Sequence, residues 1–362
     1  MQAALALLLL AAGPEVAPEG TEDQADAAEA VIASANLTVK AKQLVQTAPE
    51  YPKQDLRKER EAWVHVTYCI DEAGAVQNIT ILDSVGNERF DRAAVETVQQ
   101  WKFDPALHKG APIWQSRNNV LITFAIEFEE RGATEKFIRG FGRLGKLIDD
   151  NKLPEADTLF WKMYETYSLN LYELAKLWSQ RARYEGKTGD MYRLDMALHR
   201  ATASHGEWIE EEHYAELLFL RSNVELQLGK YREARHSYND WVDIVGEGAG
   251  DVVAMRAIFE QLEAMIESDQ ILKIPAEVRA RGDCAYCNDS WDFTPVRNDF
   301  TFLNINGTLR SIDMRCDNKR FESDIAELVE WHIPDSWGRC HINVYGEPGT
   351  TFDVMMLPAA VD

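Results

Sequence analysis

Four of the five cysteines lie in the last quarter of the chain, where they could form disulfides. These are Cys284, Cys287, Cys316 and Cys340, whereas Cys69 lies in an apolar run and is expected to be a small core residue. Four cysteines in an exported protein allow three disulfide connectivities. We favour Cys316 with Cys340, because one follows a predicted strand and the other begins the next, and Cys284 with Cys287 as a local loop.

The same cysteines could instead hold zinc or act as redox thiols. Cys284-x-x-Cys287 is half of a zinc ribbon, and His332 and His341 lie nearby, but the other two cysteines are far apart in sequence. A redox thiol needs a helix whose first turn lowers its pKa, and turn-forming residues follow Cys287 instead. Both kinds of chemistry are therefore disfavoured relative to disulfides.

Two further patterns could indicate chemistry. Gly140, Gly142 and Gly145 fit the dinucleotide spacing G-x-G-x-x-G, but apolar residues recur at helical spacing through them, which predicts a helix. His205 and His213 flank a run of glutamates without the H-E-x-x-H spacing, which predicts a solvated face. No nucleophile elbow, P-loop or kinase motif occurs. The sequence therefore predicts no catalytic residue, no metal and no cofactor.

The charge balance restricts the partners of the chain. It has 38 Lys and Arg against 60 Asp and Glu, a formal charge of −22. This excludes nucleic acid as an expected partner, because nucleic-acid binding depends on clustered cations. A hydrophobic share of 46% in 362 residues indicates a globular protein of two or three domains.

The N-terminal residues have no pattern of a folded domain. Residues 3–12 are an apolar run that would make a helix of about 15 Å, half the ~30 Å hydrocarbon layer. Residues 1–13 are therefore expected to be a signal-like segment, although no Lys or Arg precedes Lys40. Residues 14–48, rich in Ala, Glu and Asp, predict a linker. Membrane contact is expected to be peripheral or absent.

Regular patterning begins with a β-β-α-β unit over residues 49–129. Bulky β-forming residues over Trp63–Ile70 and Val76–Leu82, separated by turn residues, predict a hairpin. Apolar residues at helical spacing from Phe90 to Trp101 predict an amphipathic helix. Asn119–Ile126 predicts a third strand.

This unit also contains short motifs that are specific only in their order and spacing. They are Pro49-x-Tyr51-Pro52, Val64-x-Val66, Asp71-x-x-Gly74-x-Val76, Ser84-x-Gly86, Phe90-Asp91-x-Ala93-Ala94-Val95, Trp101-x-Phe103-x-Pro105-Ala106 and Gly110-x-Pro112. With these motifs, residues 49–128 resemble the TonB C-terminal domain family. Trp101 and Phe103 are expected to close the core where the helix ends over the sheet.

The resemblance implies a non-enzymatic periplasmic protein of a Gram-negative bacterium that binds proteins by strand addition. The partners would be extended peptide segments, such as those of outer-membrane receptors or periplasmic proteins. By analogy, the partner-binding strand is formed by Asn119, Val120, Leu121, Ile122, Thr123, Phe124, Ala125 and Ile126. Two alternatives stay open: a membrane-anchored energy transducer with a longer upstream start, and a metal- or thiol-using protein acting through the C-terminal cysteines.

Residues 130–272 are predicted to be helical. The segment Leu226-x-Leu228-Gly229-Lys230-Tyr231-Arg232-Glu233-Ala234, followed by Tyr238 and Trp241, resembles one tetratricopeptide hairpin, with weaker echoes near Lys152 and Asp190. We expect a tetratricopeptide-like array of about three hairpins with a second, concave binding surface. An ordinary helical bundle is the alternative.

Residues 273–362 are predicted to be a cysteine-containing α+β domain. Phe300–Ile305 and Leu309–Met314, joined by Asn306-Gly307, predict a hairpin, and the spacing of apolar residues from Phe321 to Val329 predicts a helix. This order suggests a diverged copy of the TonB-like unit, with an unrelated α+β domain as the alternative. The fold class predicted for the whole chain is α+β.

Overall fold

The computed structural model describes residues 38–126, 132–204, 206–280, 289–326 and 329–358. The predicted signal segment, most of the predicted linker, His205, Cys284 and Cys287 lie outside these ranges. Across the described ranges, no helix combines the length and the apolar character needed to cross a membrane. The described chain mixes helices and sheets, so the predicted α+β class is confirmed.

The first part of the structure is a three-stranded antiparallel sheet with one long helix. Its central strand is β3 (Ala62–Ile70), which lies between β4 (Val76–Val85) and β8 (Gln115–Phe124). The elements are, in chain order, β1 Thr38–Val39, β2 Lys42–Val45, α1 Lys53–Leu56, β3 Ala62–Ile70, β4 Val76–Val85, α2 Glu88–Gln99, β5 Lys102–Asp104, β6 Ala106–His108, β7 Ala111–Ile113 and β8 Gln115–Phe124. The predicted hairpin, helix and third strand are all present.

Helix α2 covers one face of this sheet. Its amphipathic spacing places Phe90, Ala94 and Val98 against the strands, where they share a core with Val64 and Phe124. Trp101 and Phe103 are buried after the helix, as predicted, and both rings contact the ring of Tyr68. The β-β-α-β unit therefore has its own apolar core.

The end of the predicted linker is part of this unit. Residues 38–48 were expected to be unstructured, but β2 pairs with β5 and β1 pairs with β6. The indole Nε1 of Trp101 also donates to the Thr47 carbonyl at 3.2 Å. The linker prediction was wrong here because these residues gain structure from partners distant in sequence rather than from their own pattern.

The second part, over residues 132–204 and 206–270, is a run of seven helices. They are α3 Glu135–Asp149, α4 Leu153–Thr166, α5 Leu171–Thr188, α6 Met191–Thr202, α7 Glu211–Gln227, α8 Tyr231–Val245 and α9 Gly250–Glu267. The predicted hairpin of α7 and α8 turns at Gly229, whose φ is +72°, and Ala234, Tyr238 and Trp241 are buried. A side chain on Gly229 would collide with Ile274 of the next unit. Tetratricopeptide geometry stays a prediction.

The third part consists of two four-stranded antiparallel sheets, ordered β10-β15-β12-β13 and β14-β11-β16-β9. Their inner faces share one apolar core. The strands are β9 Leu272–Glu277, β10 Ser290–Phe293, β11 Asp299–Asn306, β12 Leu309–Cys316, β13 Arg320–Asp324, β14 Glu330–His332, β15 Cys340–Gly346 and β16 Thr351–Met356, with a 3-10 turn at Asp335–Trp337.

The helix predicted from Phe321 to Val329 is wrong. Strand β13 occupies its first half and pairs along β12, where Arg320 binds Asp313 at 3.0 Å. The helical spacing of the apolar residues was outweighed by a hairpin whose charged side chains alternate across the strand. The described residues of this part contain no α-helix, and their elements do not follow the β-β-α-β order.

Arg297 joins the helical part to the two-sheet part. Its guanidinium is almost fully buried and donates to five backbone carbonyls, four of which belong to the end of α9 and the turn after it. The fifth is the carbonyl of Met356 in β16. One side chain thus satisfies the free carbonyls at a helix C-terminus and fixes that helix to the sheets.

Candidate functional site

Strand β8 is the end strand of the first sheet. It pairs along its length with β3, from Ala62 opposite Phe124 to Ile70 opposite Gln115. Within the described part of the chain, no strand pairs with its other side. Alternate residues of an antiparallel edge strand direct their N–H and C=O groups away from the sheet. The outer side of β8 is therefore an edge without a paired strand in the described residues, and we call it the open edge of β8.

The residues predicted for partner binding lie on and just beyond this strand. Asn119, Val120, Leu121, Ile122, Thr123 and Phe124 belong to β8, but Ala125 and Ile126 follow its end. The Ile126 amide donates to the Glu61 carboxylate at 2.6 Å, and the same carboxylate accepts from the Leu171 amide at 2.7 Å. The predicted strand Asn119–Ile126 therefore ends two residues too late, because Glu61 holds the chain at the start of the helical part, and it begins four residues after the observed start at Gln115.

Most side chains of β8 are already used inside the molecule. Ile122 and Phe124 are buried beneath α2, and Leu121 packs against the core of the helical part. Asn119 and Thr123 are exposed. A ligand at this strand would therefore be recognised mainly by its backbone, with two polar side chains of the strand in reach.

Both faces of the sheet are covered by the same chain. Helix α2 covers one face. On the opposite face, Trp63 and Val85 belong to the core of the helical part. The ring of His65 stacks there on the ring of His199, with the ring centroids 6.2 Å apart. Further along, Arg315 of the two-sheet part donates to Thr80 on β4 at 2.9 Å. Where these contacts occur, neither face of the sheet is accessible to a partner. The edges of the sheet are therefore the candidate binding surfaces.

The opposite edge, β4, is less suited to pairing. The backbone of Asn78 has a φ of +49°, and the β3–β4 register shifts twice. Arg315 donates to the Asn78 carbonyl at 3.2 Å. A bulged strand with an occupied carbonyl is a poor template for another strand. The β3–β8 register shifts only near the start of β8, before Asn118, so the regular stretch from Asn119 to Phe124 is the better candidate.

The first residues of β8 are close to the two-sheet part. Arg117 lies 3.6 Å from Asp317, the residue after the Cys316–Cys340 disulfide. The open stretch therefore centres on Asn119–Phe124, away from this contact.

A buried polar junction holds the sheet on the helical part. Arg200 of α6 binds Asp83 of β4 at 2.7 Å and lies 4.4 Å over the ring of Trp178. Burial opposes the charge of Asp83, but the guanidinium outweighs it and lowers the pKa of that carboxyl. Burial lowers the pKa of His199 to about 3 and raises that of Asp91 to about 6. Sequence reasoning missed this junction because its partners are far apart in the chain.

The cysteine prediction can be assessed for three residues. A disulfide joins Cys316 to Cys340 across the paired strands β12 and β15, which confirms that pairing. Cys69 is buried and unbridged, and burial raises the pKa of its thiol. In the described ranges, no three His, Cys, Asp or Glu side chains are grouped so as to hold a metal ion.

The other sequence motifs are placed as follows. Gly140, Gly142 and Gly145 lie inside α3, so their spacing does not form a phosphate-binding turn. His213 lies on α7, 3.4 Å from Glu216.

The β-β-α-β unit with its edge strand is the part of the chain that matches known proteins. Residues 47–128 match the family described as Gram-negative bacterial TonB protein C-terminal. The chain is 31% identical over 112 residues to Protein TonB of Vibrio cholerae, covering 30% of this chain and 46% of that protein. It is 34% identical over 68 residues to Protein TonB of Yersinia enterocolitica, covering 19% and 27%.

The chain spans less than half the length of these curated relatives. Among solved structures, it is similar to the solution NMR structure of the Pseudomonas aeruginosa TonB CTD, at 26% identity over 25% of this chain and 91% of that chain, with a TM-score of 0.22. The family match confirms the resemblance: residues 47–128 are similar in sequence to the TonB C-terminal family.

Proposed function

We propose that this protein is a non-enzymatic, periplasmic binding protein of a Gram-negative bacterium that captures an extended segment of a partner protein at the outer edge of β8. The partner strand adds next to β8 and takes up its free N–H and C=O groups. The observation that carries the proposal is the open edge of β8, in a unit that matches the TonB C-terminal family and whose sheet faces are both covered.

Strand addition fits the chemistry of this edge. Since the apolar side chains of β8 point into two internal cores, affinity would come from the backbone ladder. Asn119 and Thr123 are exposed and could select polar residues at matching positions of the ligand. Outer-membrane receptors and periplasmic proteins with unfolded segments are the proposed sources of the ligand. The helical part is proposed as a second binding surface.

The test is a titration of the full chain with short peptides from outer-membrane receptors. Each peptide is compared with two analogues, one N-methylated at the alternate residues that face β8 and the other at the residues that face away. N-methylation removes backbone donors and leaves the side chains unchanged. We expect the parent peptide to bind and the analogue methylated on its β8-facing side to lose at least about tenfold in affinity, or about 1.4 kcal/mol. Equal affinity of all analogues would contradict recognition through the backbone.

A further inference from the structure

The last helix of the helical part, α9, is apolar on two opposite sides. Its inner side packs into the helical core through Val252, Met255, Phe259 and Leu262. Its outer side exposes residues that, at 3.6 residues per turn, lie within an arc of about 140° that has no charged side chain. We call this surface the α9 outer face; it consists of Val253, Ala254, Ala257, Ile258, Gln261, Ala264 and Met265.

The large side chains of the α9 outer face are well exposed. Val253 is 56% exposed, Ile258 46% and Met265 37%. A helix with one side in water normally carries polar residues there, and the end helix of a helical array needs such a polar surface for solubility. The preceding helix follows this rule, since its exposed residues include Arg232, His236 and Asp243. Helix α9 has instead the pattern of a helix with a neighbour on both sides.

Acidic residues border the α9 outer face. Glu260 and Glu267 follow one edge and Asp251 lies at the other, and among the described residues none of the three forms an ion pair. The nearby cations are already used, because Arg256 lies 3.3 Å from Glu247 and Arg235 binds Glu263. The border therefore favours a ligand with positive charges beside an apolar stripe.

We propose that the α9 outer face docks an amphipathic helix of a partner protein, with apolar residues at i, i+3, i+4 and i+7 and Lys or Arg beside them. Such a helix would lie along α9 as the next helix of the array, its apolar stripe against Ile258 and its cations against Glu260 and Glu267. This surface goes beyond the strand-addition proposal and does not depend on it, since α9 is a separate element from β8.

Other occupants fit the surface less well. The α9 outer face runs from Val253 to Met265, about 18 Å, and at about 10 Å wide it offers roughly 180 Å² to a second copy, against about 800 Å² per partner in a standard interface. Two copies, each with a formal charge of −22 and the same acidic border, would also repel each other. The acidic border equally disfavours an anionic lipid surface.

The test uses the full chain and three fluorescent peptides, each 18 residues long like α9 itself. The first has Leu and Lys in amphipathic helical spacing, the second has the same composition in scrambled order, and the third has Leu and Glu in the amphipathic order. We expect the first peptide to bind at least about tenfold more tightly than either control, measured by fluorescence anisotropy at moderate salt.

Two isoleucine variants separate docking from general charge attraction. Ile258→Glu should weaken binding of the amphipathic Leu/Lys peptide by at least about tenfold, since it places a charge in the apolar stripe. Ile138→Glu is the matched control, because Ile138 is 57% exposed on α3. The affinity of this variant for the amphipathic Leu/Lys peptide should stay within about twofold of that of the parent protein. Glu260→Lys with Glu267→Lys should shift the preference toward the Leu/Glu peptide. Circular dichroism checks that each variant is folded.

Several results would overturn the proposal. Equal binding of amphipathic and scrambled peptides, or equal losses in Ile258→Glu and Ile138→Glu, would show charge attraction alone. A dimer in sedimentation that Ile258→Glu dissociates would make a second copy the occupant. Binding of the protein to phosphatidylserine vesicles that Ile258→Glu abolishes would make a lipid surface the occupant of the α9 outer face. Peptide binding that begins only after removal of residues 1–37 would make this segment of the same chain the occupant of the α9 outer face.

Discussion

Replacing Arg200 with Met should loosen the first sheet from the helical part. The guanidinium donates to both Asp83 oxygens, at distances from 2.7 to 3.1 Å, and no other cation pairs with that carboxylate in the described ranges. Removing one partner of a buried ion pair costs about 3–5 kcal/mol. Because both side chains keep some exposure, we expect the low end, about 3 kcal/mol, or roughly 100-fold in the opening equilibrium.

Hydrogen exchange with mass spectrometry measures this effect where it should occur. Amides of β4 and α6 should exchange faster in Arg200→Met, whereas those of β11 and β16 in the two-sheet part should keep their protection. Arg193→Ala is the matched control on the same helix. Its partner Asp190 is 3.4 Å away and Arg193 is 61% exposed, so its loss should cost less than about 0.5 kcal/mol.

A second substitution tests the electrostatic reason. Adding Asp83→Asn to Arg200→Met removes the unpaired carboxylate, so the double variant should exchange more slowly than Arg200→Met alone. Two results would refute the reasoning: a change in Arg200→Met no larger than in Arg193→Ala, or a double variant that exchanges at least as fast as the single one.

Three further outcomes are expected. Removing the disulfide by Cys316→Ser with Cys340→Ser should destabilise the two-sheet part by roughly 3 kcal/mol in thermal denaturation, and a reductant should then have no further effect through this bond. Arg297→Lys should lower the unfolding free energy by about 2–3 kcal/mol in denaturant titration, because an ammonium cannot reach carbonyls on two segments. The pKa of His199 is about 3 in the folded protein, compared with 6.5 for an unperturbed histidine side chain. Between these two pH values the unfolded state therefore binds more protons than the folded state. Its contribution to stability should therefore be present above pH 6.5 and be lost progressively as the pH falls toward 3, so stability should fall less over this range in His199→Gln than in the parent.

The β-β-α-β unit could be predicted because its information is local. The bulky β-forming residues of β3 and β4, the helical spacing in α2 and the turn residues between them each depend on neighbours in sequence. Trp101 could be placed in the core for the same reason. The end of β8 could not be located to the residue, because a carboxylate far away in sequence, Glu61, takes up the Ile126 amide.

The predictions that were wrong concern elements that form through tertiary contacts. Strands β1 and β2 have mostly exposed side chains and so no burial pattern in the sequence, and they form because β6 and β5 accept them. Strand β13 has apolar residues at helical spacing but gains more from pairing with β12. Bulky residues on both faces of β3 are visible in the sequence, but the sequence does not show which parts of the chain cover each face, and this coverage is what makes the edge the candidate site.

The open edge of β8 is tested most directly by amide NMR of the full chain, titrated with a receptor peptide that binds. Strand addition predicts that the amide signals of Asn119 to Phe124 shift and gain protection from exchange at alternate positions, while those of the opposite edge strand β4 stay unchanged. Binding that leaves the Asn119 to Phe124 amides unshifted, or that shifts β4 instead, would contradict the account.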